Sequence, residues 1–227
     1  MRVIVVGGVA TGAVVVGLGS RLAMLILRLT SPHRVRGVTS DDGFVIGRVT
    51  LGGTYNLMQL GAAVGVIGAG VYLLVGPRLI GPRWFRRATT GVAAGAVGGA
   101  VLVHADGIDF TVLQPLWLAI SLFVALPAGF GVAIGAAVDA VARDDSWTRV
   151  GRRRWTLVVL SAVCFPGTLV VLVPIAVLVA VFVALEASDE ITRLRSTAVY
   201  VVVVRTLWLA VATIGLVALI NDVTALA

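Results

Sequence analysis

The sequence predicts an all-α, polytopic membrane protein, a six-transmembrane-helix, glycine-packed bundle forming a single integral membrane domain over residues 1–227. Three observations predict it. The chain is 59% hydrophobic and 13% charged, with a mean hydropathy of +1.06, whereas charged residues make up about 25% of a soluble globular domain. Several apolar runs reach the ~20 residues that a helix needs to cross hydrocarbon. They are continuous rather than alternating, which excludes a transmembrane barrel. The third observation is glycine: Gly8/Gly12, Gly61/Gly65, Gly91/Gly95/Gly99 and Gly131/Gly135 stand four apart inside these runs. Water does not drive helices together in lipid, so small residues that let backbones approach must do so.

The first span covers residues 3–27, behind Arg2. Its start resembles a signal peptide, but Gly17-Leu18-Gly19 is a poor cleavage site. The apolar run also resumes after Arg21, so a retained helix is expected. Residues 28–53 make a polar connection in which Pro32 and Asp42-Gly43 are turn signals. The second span covers residues 54–75, and a basic loop with Arg78, Arg83, Arg86 and Arg87 around Trp84 follows. The third span covers residues 88–104. A short acidic turn, His104-Ala105-Asp106-Gly107-Ile108-Asp109, leads to the fourth, residues 116–140, where Pro127 is a point for a kink.

Beyond it, Asp139 and Arg143, and Asp145 and Arg149, have the four-residue spacing of ion pairs on a solvated helix. Residues 155–185 would span about 46 Å as a helix, too long for one upright crossing. Pro166-Gly167 lies too near the start of this run for two crossings. A kinked, tilted span, or a half-helix leading into one, is expected. The sixth span covers residues 197–220.

Six crossings place both termini on one side. Ten arginines then fall on the terminal side and six on the other. The arginine bias therefore predicts cytoplasmic termini and a multi-pass protein of the cell inner membrane. Every basic residue is arginine, as codon usage in a GC-rich bacterial genome would produce. Most arginines lie between spans, so anionic lipid headgroups rather than nucleic acid are the expected partner. Arg83, Arg86, Arg87, Arg152, Arg153 and Arg154 form that set. Trp84, Trp147 and Trp155 mark the inner interface and Trp117 the outer one. The single Cys164 excludes an intrachain disulfide or a thiolate metal framework, and no cofactor is indicated. Internal packing is the expected use of the glycine faces, ahead of a homo-oligomer or a membrane-protein partner.

Polar residues inside the spans gather toward one surface. Arg21, Asn56, Gln59 and Arg205 all lie in the halves that end near His104, Asp106 and Asp109. An arginine within a span costs about 2.5–3.5 kcal/mol on insertion scales and so is expected to find a partner. Three readings follow. In the first, the cluster is a structural knot of Arg–Asp pairs, with Trp208 a further neighbour of Arg205. In the second, it is an outward-open vestibule for an anionic solute, which requires a water-accessible cavity reaching Arg205. In the third, His104, Asp106 and Asp109 bind a metal or perform acid–base chemistry. That His-x-Asp-x-x-Asp pattern is short and unspecific, and the stronger metal-protease and phosphate-loop signatures are absent. Residues 1–104 and 105–227 show no convincing repeat, which weakens transport. The expectation is a small non-enzymatic membrane protein, structural or accessory in role. A transporter or channel subunit for a small anionic solute is the alternative.

Overall fold

The computed structural model describes residues 3–32, 37, 50–104, 107, 110, 112–143 and 197–226, and every element among them is helical. With no water in hydrocarbon to satisfy the backbone, a helix is the solution open to long apolar runs. Helix α1 covers residues 3–30 and contains two wide π-type stretches, Val3–Gly7 and Gly12–Leu18. Helix α2 is Leu51–Val75 and closes in a tight turn, Gly76–Arg78. Helix α3 is Arg83–Leu102, α4 is Leu116–Ala142, and α5 is Ala198–Leu226.

Two helices start earlier than expected, each for a local reason. Thr50 caps α2: its Oγ1 accepts the Gly53 N–H at 3.1 Å, satisfying one of the free donors of the first turn. Gly52-Gly53 thus belongs to the helix rather than to the connection before it. Pro82, extended at φ −68° and ψ 164°, precedes the first turn of α3. Arg83, Arg86 and Arg87 therefore ride on a helix and not in a loop. At the other ends, α1, α4 and α5 run a few residues past the expected 27, 140 and 220.

Among the described residues, four segments are long and apolar enough to cross a membrane: Gly8–Thr30, Leu51–Arg78, Leu116–Ala142 and Ala198–Leu226. Helix α3 falls outside that set, because its first two turns carry three arginines and two threonines. The count of six is thus not reached among the described residues. The expected fifth span, 155–185, lies outside them.

Helix α1 lies antiparallel on α2 with the two backbones in contact. A Cβ placed on Gly12 would sit 2.7 Å from the Gly65 Cα, and one on Gly8 would sit 2.9 Å from the Val66 Cα. Helices α3 and α4 meet in the same way, where a Cβ on Gly131 would sit 2.9 Å from the Gly91 Cα. Such approach maximises dispersion between helices where there is no hydrophobic drive. Two apolar cores result. One gathers Ile4, Val9, Val66, Tyr72, Ile134 and Val138 toward the Gly76 turn. The other gathers Leu27, Val103, Phe110, Leu113, Ala119 and Leu219 toward the 103–115 turn.

Helix α5 runs parallel to α3. Gly215 faces the Val97 backbone and Leu219 faces Gly99, while Arg205, near its start, reaches Arg78. Ala142 and Ala198 therefore lie at the same end of the bundle. Val3 and Leu226 lie at opposite ends of the bundle.

Candidate functional site

At the Gly76 end, three helices meet on one carboxylate. Asp139, in the last turn of α4, accepts both the Arg87 Nε–H at 3.0 Å and the Nη2–H at 2.8 Å on its Oδ2. The Tyr72 hydroxyl, from α2, lies 3.4 Å from each carboxylate oxygen and donates to the group. The Arg87 and Asp139 side chains are only 24% and 22% exposed, so water screens the pair incompletely. Glycine makes room for the ring: a Cβ on Gly76 or on Gly135 would come within 2.9 Å of Tyr72 Cε2. Arg86, beside this cluster, donates from Nη1 to the Gly76 carbonyl at 3.4 Å.

This clamp replaces the expected Asp139–Arg143 pair. On α4 the carboxylate meets the Arg87 guanidinium and the Tyr72 hydroxyl, while Arg143 stands just past the helix end with an extended backbone (ψ 150°). One signal could have found it. Asp139 is the single acidic residue inside any of the six expected spans, and such a residue calls for an intramembrane partner.

Arg205 is the second correction. Its Nε–H donates to the Arg78 carbonyl at 2.7 Å, and the Arg78 guanidinium lies over the Tyr200 ring, 5.0 Å from its centroid. These contacts bind the start of α5 to the end of α2. They put Arg205 at the Gly76 end, away from Arg21, Asn56, Gln59 and His104. The expected Arg205 contacts with the acidic turn depended on the direction of α5, and that direction is reversed.

The other cluster residues do share the 103–115 end. The Arg21 guanidinium lies over Gly53, level with the first turn of α2. Arg21 is therefore deep along α1 but shallow relative to α2, because α1 extends beyond its neighbour. Asn56 is exposed and Gln59 half-buried on the same stretch of α2. His104 is exposed at the end of α3, and its carbonyl accepts the Gly107 N–H at 3.1 Å. Asp106 and Asp109 lie outside the described residues, as do Arg152, Arg153 and Arg154. Sequence reasoning missed a further tie at this end. The Ser31 hydroxyl donates to the Gln114 carbonyl at 3.1 Å and accepts the Gln114 N–H at 2.9 Å, joining α1 to the start of α4.

Between the two ends lies a cavity of about 340 Å³ in the half of the bundle toward the 103–115 turn. Met24, Leu60, Val64, Val101, Leu126 and Phe130 are among its walls, and Ser20 is the one polar side chain lining it. Neither Arg205 nor Arg21 lines it. It is not the polar vestibule that an anionic solute would need.

Fold and sites together define a bundle of apolar helices compatible with a multi-pass integral membrane protein. The chain matches no family model, and no curated protein or solved structure is significantly similar to it.

Proposed function

We propose that the chain is a non-enzymatic integral membrane protein with a structural or accessory role, built as a glycine-packed scaffold clamped at one end. The observation that carries this reading is the use made of its charge. Arg87, Asp139, Arg205 and Arg78 tie helices to one another, while the cavity described above is apolar. The glycine faces serve as internal seams. Arg78, Arg83, Arg86 and Arg87 share one end, which we assign to the cytoplasmic surface and its anionic headgroups. The transport alternative needed Arg21 and Arg205 around one wet cavity. Their separation to opposite ends leaves that reading without a site.

A double-mutant cycle tests the clamp. Arg87→Ala and Asp139→Ala should each lower the unfolding temperature in detergent, and the double variant should lose about 1 kcal/mol less than the sum of the two. Full additivity would show that the pair does not couple and would remove the reading. The topology is checked separately. With Cys164 replaced, single cysteines added at the two termini should be labelled from opposite sides of sealed vesicles by an impermeant maleimide. Labelling of both from one side would overturn the helix directions described above.

A further inference from the structure

The apolar cavity has a shape that the other contacts of the bundle explain. Helices α2 and α3 hardly touch along their length, and each packs instead on α1 or α4. Near Gly76 they are drawn together by the short turn and by Arg86 on the Gly76 carbonyl. Toward their other ends both line a groove floored by α1 and α4. Pro127 and Phe130 form part of that floor, seated against Gly98 of α3 and Gly68 of α2. At the rim, Leu60 is 60% and Val101 64% exposed, so the groove opens sideways between α2 and α3.

We infer that this groove holds one acyl chain of an anionic phospholipid, with the headgroup at Arg21; this rests on the reading that the bundle spans a membrane. Within hydrocarbon the surrounding solvent is acyl chain, and an unfilled apolar space of this size forfeits its dispersion contacts. The walls are aliphatic and aromatic and offer a single hydroxyl, Ser20, so they select an unsubstituted chain over a polar or ring-hydroxylated molecule. Charge fixes the other end of the ligand. Arg21 adjoins Ser20 in the sequence and lies over Gly53 at the first turn of α2, one turn above the groove residue Leu57. A cation one turn beyond an apolar slot complements a phosphate joined to a chain.

The test uses the full chain in proteoliposomes with phosphatidylglycerol or phosphatidylcholine bearing a diazirine along one acyl chain. Crosslinks are mapped by mass spectrometry. Labelling is expected to concentrate on Leu126 and Phe130, with phosphatidylglycerol favoured. Ala23→Phe on the floor, or Val64→Phe on the α2 side, should reduce labelling of Phe130 about tenfold, corresponding to about 1.4 kcal/mol of lost binding. Arg21→Gln should abolish the preference for phosphatidylglycerol while leaving the phosphatidylcholine signal. Labelling confined to outward residues such as Val92 and Ile214, or unaffected by both filling variants, would overturn the groove. An undiminished phosphatidylglycerol preference in Arg21→Gln would overturn the headgroup assignment. No labelling even of Val92 and Ile214 would instead overturn the membrane reading itself.

Discussion

The two ends of the bundle are closed by different means. At the Gly76 end, a carboxylate, a guanidinium and a phenol from three helices converge, and a second arginine ties in α5. At the 103–115 end, closure is mainly apolar, through Leu27, Val103, Phe110 and Leu219, with the Ser31–Gln114 bonds at its edge. Charge pairs set geometry over short distances and directions, so α2 and α3 are held together where the polar groups are. Apolar contact is non-directional, and in the half toward the other end the same two helices line a groove.

That contrast can be broken in graded steps. The largest effect belongs to the seam that both ends depend on. Gly65→Leu would force a side chain into the backbone of α1, where even a Cβ would sit 2.8 Å from the Gly12 Cα. A loss beyond the ~1–3 kcal/mol of ordinary overpacking is expected, because backbone cannot move aside as a side chain can. It would be read as failure to recover a monodisperse protein in detergent. Asp139→Ala comes next. It leaves Arg87 and the Tyr72 hydroxyl without their shared acceptor and should cost about 1–3 kcal/mol, between the values for exposed and fully buried pairs. Thermal unfolding measures it, and an Asp139→Ala protein as stable as the parent would show the two ends to be less different than described. The smallest effect is that of Tyr72→Phe, which keeps the ring in its glycine slot and removes one hydrogen bond. A loss of about 0.5–1.5 kcal/mol is expected.

Several elements could be read from sequence because their cause is local. Helices α1, α2, α4 and α5 follow from apolar runs of sufficient length, and the starts of α2 and α3 differ from expectation where a cap or a proline acts, at Thr50 and Pro82. The candidate site was less readable. Depth along a helix was a poor guide for Arg21, since its level in the bundle depends on how far α1 slides past α2. Spacing alone pairs Asp139 with Arg143, whereas its partner comes from a helix far away in the chain.

By itself, the sequence determined what the chain is made of: apolar helices of membrane-crossing length, glycine at four-residue intervals, and arginine concentrated between the spans. Each is a property of a stretch of residues and its solvent, so no neighbour is needed to establish it. Tertiary structure decided which end each helix faces, and with it the fate of the arginines. Arg205 looks the same in the sequence whether α5 runs up or down. Only packing of Gly215 and Leu219 on α3 fixes the direction and carries Arg205 to the Arg78 carbonyl. Helix direction depends on contacts between distant segments, and local composition holds no record of it.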